Sequence, residues 1–520
     1  MTGTLIRKEL LANLLTLRLA VALVFTVLLS ALTTVIGSVE HSERMDAYRA
    51  EVAEFRKDLD QATVYAQVQP HIVAPPQPLA LFCRGVDKTA GQVVEIYIGR
   101  MPASLSSLGG TSNDLMKIFV EIDFATVVTV LLSFLAVVLG FDAVCGERER
   151  GTLRQMLVNP VPRGSVIVAK LIGGLLSLWI PLALAFVLAL LIASSNPDVL
   201  FSGDDWVRLA LLFILSCLFL GQVFSLSLMV STLTRDSATA LIICLFAWLA
   251  GSVGYMNALP SLSRYGVEEV PFQNFMEQNR EFWNIYNREK NEWNETHPSP
   301  GEAYLKGIQG QGRLRYAHPR GYAWLQQENA FMQDKHMERA SRSHKAMSAN
   351  YQHLAREAFL VDQWSILSPF TNYKALANQL ARTTLSDKFR LLKAGHRYRE
   401  DFIQYLRGRN AFASRRWFTD DPEHQEPMIP HPEEMSPEML APDSPFMKER
   451  MAWAQKQEEL AATDATRQLD LTDLPRFGAD WQRNLGGSLA VMTPGLAMLL
   501  LTFGGSVLVA MLRFLNYDPK

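Results

Sequence analysis

The sequence predicts an all-α membrane protein with six transmembrane helices and a large, mainly helical exoplasmic domain that carries a small β element. Three observations lead there. Apolar windows at 19–39, 118–140, 166–193, 207–233, 237–259 and 487–512 hold almost no charge, and at about 1.5 Å of rise per residue each can cross the ~30 Å of bilayer hydrocarbon. The chain averages 49% hydrophobic and 20% charged over 520 residues, but that average hides a split between very apolar and very polar segments. The polar segments 40–117 and 260–485 make up more than half of the chain, too much for a bare helical bundle. A fully soluble protein is excluded. The net charge of −2 supplies no basic field, so nucleic acid is set aside as a partner.

Taken in order, the chain divides into residues 1–39 (a cytoplasmic helix and the first span), 40–117 (a first exoplasmic segment), 118–259 (spans two to five, with a short cytoplasmic helix at 146–160), 260–485 (the main exoplasmic domain) and 486–520 (the sixth span and a tail). Charge sets the orientation. Arg7, Lys8 and Arg18 precede the first span, Arg148, Arg150, Arg154, Arg163 and Lys170 lie between spans two and three, Arg235 between four and five, and Arg513 follows the sixth. The loop 194–205 on the other side has Asp198, Asp204 and Asp205 and no Lys or Arg. Both termini are therefore expected to be cytoplasmic and both large segments exoplasmic. The first span has a basic front, but its apolar run is too long for a signal peptide and no small-residue cleavage site follows, so it is expected to be a retained anchor.

Outside the membrane, apolar residues from Met45 to Ala66 recur at spacings of three and four, which extends the first span outward as an amphipathic helix. The prolines of 73–78 stop it, and Leu79–Cys83 and Gln92–Ile98 read as two short β runs. In the larger segment, helices are expected at Phe272–Trp293, Ala323–Val361, Ser386–Gly408 and 447–462, with a glycine-rich loop at 307–321. Residues 420–446 are acidic, proline-rich and without periodicity, as in a disordered linker. Cys83 is the lone cysteine of the exoplasmic segments, which leaves that domain to be held by burial and not by disulfides.

No phosphate-binding loop, zinc-ligand spacing, nucleophile elbow or dinucleotide fingerprint is present, so the chain carries no catalytic signature and no means of energising transport alone. The most informative string is Glu147-Arg148-Glu149-Arg150-Gly151-Thr152-Leu153, continued by Met156, Leu157, Pro160 and Arg163, with Lys170 opening the third span. It reads as a charged knot followed by a short amphipathic helix whose Leu153, Met156 and Leu157 form one apolar patch, closed by Pro160 and Pro162. An ordinary interfacial loop obeying the positive-inside rule has the same composition.

This string resembles the signature of permeases of type-2 ABC exporters, where the loop is the coupling helix gripped by the cytoplasmic ATPase. Arg7, Lys8 and Glu9 likewise resemble that family's amphipathic interface helix. Strings at 75–96, 364–381 and 471–477 are similar to a subgroup with large exoplasmic insertions, related to the permeases of gliding motility and multicopper-enzyme maturation; the insertion at 409–465 is longer than in that subgroup. The resemblance implies a non-catalytic permease subunit in the bacterial inner membrane. It would have no cofactor of its own, ATP and Mg being bound by a partner ABC ATPase dimer. It would pair with a second permease copy or a related permease, with a periplasmic protein as a further candidate partner.

Other positions carry weaker expectations. Pro181, in the middle of the third span, is a candidate bend for gating, although proline is common in membrane helices for packing reasons. Glu121 and Asp123, at the outer mouth of the second span, are expected to face water or a partner. Two alternatives to export stay open. One is a scaffold that transmits force to a periplasmic partner, or to metalloenzyme maturation, and carries no solute. The other is Cu(I) handling by Met428, His431, Met435 and Met439, set against the absence of fixed geometry in a linker.

Overall fold

The computed structural model describes residues 2–516 except 87–92, 100–121, 159–161, 265–271, 302–308, 311–312, 315–318, 421–434 and 479. Six of its helices are long and apolar enough to cross a membrane. The chain opens with α1 (Thr2–Leu14), breaks at Leu15 and Thr16, and enters α2 (Leu17–Asp60), where Thr16 caps the first turn. This one helix of 44 residues contains span one and most of its predicted extension, and it ends at Asp60, well before Ala66 and the predicted proline stop at 73–78.

Span two is α3 (Phe124–Glu149), which loosens into a π turn at Val128–Leu132 and bends after Gly140. The short α4 (Thr152–Val158) leads to span three, α5 (Arg163–Ser195), span four, α6 (Gly203–Leu233), and span five, α7 (Ser237–Leu259), which has its own π turn at Ala250–Gly254. Span six is α13 (Leu485–Leu515). The packed interior is one apolar cluster shared by the spans, and it also takes in Leu79–Cys83 and Phe370–Ala381 from outside the span windows.

Between spans five and six the chain forms α8 (Phe272–Thr296), α9 (Pro319–Ser365), α10 (Pro369–Ala381), α11 (Leu385–Gly408) and α12 (Pro445–Thr463), all but α10 belonging to the large domain. Its core gathers Val68, Ile72 and Val94 of the first segment with Leu391, Phe402, Leu406 and Trp417 of the second, so the two segments fold as one body. The β element is small: β1 (His71–Val73) pairs antiparallel with β2 (Val93–Glu95), and a second ladder joins Gln309–Gly310 to Arg313–Leu314. The predicted strand at Leu79–Cys83 is not one. Pro78 starts a 3₁₀ turn there, and Leu81, Phe82 and Cys83 are buried among the spans, where a tight turn satisfies its own backbone and an unpaired strand would not. Residues 421–434 of the predicted linker lie outside the described residues, and 435–444 are turns.

The helix α10 is the element that the hydropathy windows miss. It descends beside spans four and six instead of standing in the outer domain, and Phe370, Tyr373, Leu376 and Leu380 are buried there. Tyr373 stacks on Phe219 of span four at 4.4 Å, and its hydroxyl bonds Ser216 at 2.8 Å. Asn372 donates to the Gly495 carbonyl of span six at 2.9 Å. Asn372 and Tyr373 are thus matched where α10 enters the apolar region, while the side-chain oxygens of Asn378 and Gln379 are buried without a hydrogen-bond partner.

Candidate functional site

The end of the spans that carries both described termini brings the predicted string and the predicted interface helix together. Gly173 on α5 lets α1 lie against it, since a Cβ there would stand 2.7 Å from the Glu9 Cβ. Glu9 therefore reaches Lys170, which is buried with a side chain 3% exposed. The Lys170 ammonium sits 3.4 Å from Glu9 and 2.9 Å from Glu147, and Lys8 closes the group at 3.1 Å from Glu9 and 3.4 Å from Glu147. Two carboxylates and two ammoniums, three of the four largely shielded from water, form an alternating cluster across α1, α3 and α5. Burial works against the charge on Lys8, but Glu9 and Glu147 outweigh it and hold its pKa above the ordinary lysine value. Arg7 is exposed on α1.

The next residues tie the remaining spans. Arg148 donates to the Thr234 carbonyl at the end of span four, 2.8 Å away. Glu149 accepts the Ser237 N–H at 2.8 Å and the Ser237 hydroxyl, so its carboxylate caps the N-terminus of span five, where the helix dipole favours negative charge. Ser231 of span four receives the N–H groups of Val144 and Cys145 at 3.0 and 3.1 Å. Arg150 is exposed, 3.9 Å from Asp142. Gly151 has φ +75°, a left-handed turn that divides the predicted single helix into Cys145–Glu149 and α4. Thr152 bonds back to the Glu147 carbonyl at 3.3 Å, Leu153 is 1% exposed, and Met156 packs on the span core. Arg163 donates to the Leu515 carbonyl of span six at 3.0 Å. The helix of Leu157 is described but not its side chain, and Pro160 lies outside the described residues.

At the opposite end the structure holds a network that the sequence reading missed. Arg208, one turn into span four, is 1% exposed and donates to Asp204 at 2.7 Å, to the carbonyls of Leu380 and Arg483 at 3.0 and 2.9 Å, and to Ser488 at 3.0 Å. Arg382, at the end of α10, bridges Asp204 at 2.6 Å, Asp205 at 2.9 Å and Gln482 at 2.9 Å. Span four, α10 and the entry to span six are pinned together here by two guanidinium groups, with every nitrogen of Arg208 bonded and both terminal nitrogens of Arg382 bonded. The signal was present in Ser202-x-x-Asp205, a capping box, followed by the i,i+4 pair Asp204–Arg208.

The weaker candidates separate. Asp123 is buried, not water-facing: it caps span two through Thr126 N–H at 2.7 Å and also accepts the Arg84 N–H at 2.9 Å. Glu121 lies outside the described residues. Pro181 is buried inside α5, and the helix runs through it without a break. Met428 and His431 also lie outside the described residues, while Met435 and Met439 sit among turns before α12. Among the described residues no three His, Cys, Asp or Glu side chains are grouped to hold a metal ion.

Known proteins place this architecture. The sequence profile of the ABC-2 family transporter proteins matches residues 4–414. A relative named "Probable multidrug ABC transporter permease YbhS", from Escherichia coli (strain K12), is 26% identical over 155 residues, 29% of this chain and 39% of its own length. Two proteins named "Probable ABC transporter permease protein NosY" are each 31% identical. The one from Stutzerimonas stutzeri matches over 107 residues, 18% of this chain and 39% of its own. That from Pseudomonas aeruginosa matches over 117 residues, 22% of this chain and 42% of its own. The matched regions thus span about two fifths of the relatives' length. With the profile covering most of the sequence, and six membrane-spanning helices in place, the chain belongs to the ABC-2 family of transporter proteins.

Proposed function

We propose that this chain is the permease subunit of an ATP-driven ABC exporter in a bacterial inner membrane, coupling ATP hydrolysis by a separate cytoplasmic ABC ATPase dimer to movement of a substrate across the bilayer. One observation carries the reading. The consecutive residues Glu147, Arg148 and Glu149 contact, in turn, α1 and span three, span four, and span five. A displacement of this string acts on α1 and spans two to five at once. In this reading both termini are cytoplasmic, α1 is the interface helix, and the break at Gly151 presents α4 to the ATPase. ATP and Mg are held by the ATPase alone, and the permease pairs with a second copy of itself or with a related permease.

The mechanism is differential binding. ATP-bound ATPase favours one placement of α4, nucleotide-free ATPase another, and the spans follow because the ion-paired knot does not deform continuously. The test is ATPase stimulation in the reconstituted complex. Glu149→Lys sets a cation against the span-five N-terminus and Leu153→Asp places a charge at a buried contact; both should insert into membranes and both should lose stimulation. Stimulation untouched by both substitutions removes the coupling assignment.

A second reading rests on its own observation. Span one continues without a break from Leu17 to Asp60 into the core of the large domain, where Leu59 packs. Such a rod suits a subunit that transmits force to a periplasmic partner and moves no solute. ATP hydrolysis in vesicles without movement of any lipid or solute would favour it.

A further inference from the structure

Between spans four and five, beneath the foot of α10, lies a cavity of about 480 Å³. Val137 of span two closes its back, Leu226 and Val230 line one wall, and Phe370 forms the roof. Its mouth is made by Ala247 and Ala250 of span five and by Leu367 just before α10, all exposed, and span five is only 17% buried, the least covered of the six. The π turn at Ala250–Gly254 widens span five at this height, and Ser368 holds the foot of α10 against it by donating to the Gly251 carbonyl at 3.1 Å. The recess is therefore built by packed elements and opens sideways, on the exposed apolar face of span five.

The lining states what fits. Four side chains with O–H or N–H groups border the cavity beside the weakly polar thiol of Cys244, and each of the four already has an acceptor: Ser227 the Val223 carbonyl at 3.1 Å, Trp248 the Ser133 hydroxyl at 2.9 Å, Tyr255 the Trp364 carbonyl at 2.6 Å, and Ser368 the Gly251 carbonyl. The site thus presents an apolar wall whose O–H and N–H donors are all engaged, unlike pockets that orient a compact polar molecule with a few free polar groups. From Cys244 to Tyr255 it runs about 16 Å along the span at 1.5 Å per residue, tall and narrow. A neighbouring helix would cover such a slot without filling it. A flexible hydrocarbon chain fills it.

We propose that this cavity is a binding site for the hydrocarbon tail of a membrane amphiphile that enters laterally between spans four and five. Its position gives occupancy a consequence. Span five is capped at its other end by Glu149, and the roof belongs to α10, which is pinned to spans four and six, so a chain in the slot separates elements that the coupling string must move. This deepens the exporter reading, on which it rests for its consequence, by naming the substrate class as amphiphilic. The occupant is either cargo or a resident bilayer lipid, and the tail chemistry is the same.

The test uses the full chain in lipid nanodiscs without nucleotide, so that it does not depend on transport. A long-chain fatty acid and a phosphatidylethanolamine, each carrying a mid-chain diazirine, are photolysed and the crosslinks mapped by mass spectrometry. Crosslinks should concentrate on the lining residues Leu226, Val230, Cys244, Ala247 and Trp248, and Ala247→Phe, which fills the mouth, should reduce them about tenfold while leaving the thermal midpoint within a few degrees. Alkylation of the lining Cys244 should slow when the fatty acid is added. A fatty-acid signal lost on excess phospholipid identifies a resident lipid, and one that persists together with amphiphile-stimulated ATPase identifies cargo; both support the site. The proposal is overturned if crosslinks fall equally on the outward Ile242 and Phe246, if Ala247→Phe leaves them unchanged, or if a cysteine at 247 crosslinks to a second copy and is shielded by it.

Discussion

Lys170 shows what a single residue contributes. Its ammonium is buried, and the carboxylates facing it, on Glu9 and Glu147, are 14% and 16% exposed. Lys170→Met would leave two half-buried anions beside each other, compensated only by the exposed Lys8, and breaking a buried pair in this way costs about 3–5 kcal/mol. The purified chain should melt at lower temperature, and adding Glu147→Gln to Lys170→Met should recover part of the loss. A second residue-scale expectation concerns pH. Burial, with His344 and Arg399 beside it, pushes His396 down to about 4. In the unfolded chain a histidine takes its proton near about pH 6.5, so between about 6.5 and 4 the unfolded state binds the extra proton and stability falls as pH falls. Tryptophan fluorescence should show the large domain's melting point dropping across that window, and His396→Phe should flatten the drop.

At the scale of elements, helix contacts depend on close approach. A Cβ at Gly174 of span three would stand 2.1 Å from the Phe224 ring of span four. Gly174→Ala should therefore destabilise the chain by about 1–3 kcal/mol through overpacking, and Phe224→Leu in the same chain should restore most of it; the check is the thermal midpoint of the single and double variants. Element legibility follows the same physics. The six spans were readable because lipid-facing helices must be apolar, and the long outer helices because one face is buried at helical spacing. The place of α10 was not, because Asn372, Tyr373, Lys374 and Gln379 give it the composition of a soluble helix. Only the fold supplies Ser216 as the partner of Tyr373 and the Gly495 carbonyl as that of Asn372. The Leu79–Cys83 run failed for a related reason: its apolar residues are buried by the spans and not by a sheet.

In the whole molecule, the charged residues that join the spans are gathered at the two ends of the bundle. At one end Lys170 and the string from Glu147 to Glu149 join α1 to spans two to five, and at the other Arg208 and Arg382 join span four, α10 and span six. Of this, the sequence displayed the first cluster's members, since Glu147, Lys170 and Glu9 stand in recognisable strings, but not that they meet on one buried ammonium. It concealed the second almost entirely, because Arg208 sits at the edge of an apolar window and its partners lie far along the chain. The claim that joins these observations is that motion of the string near Glu149 reaches the large domain through the spans. Paired spin labels at Gln155 on α4 and Lys290 on α8, read by pulsed dipolar spectroscopy in the reconstituted complex, measure that directly. Adding ATP should shift the distance in the wild type, and Glu149→Lys should abolish the shift while the ATPase remains bound. A shift of equal size in the Glu149→Lys complex, or none in the wild type, would contradict it.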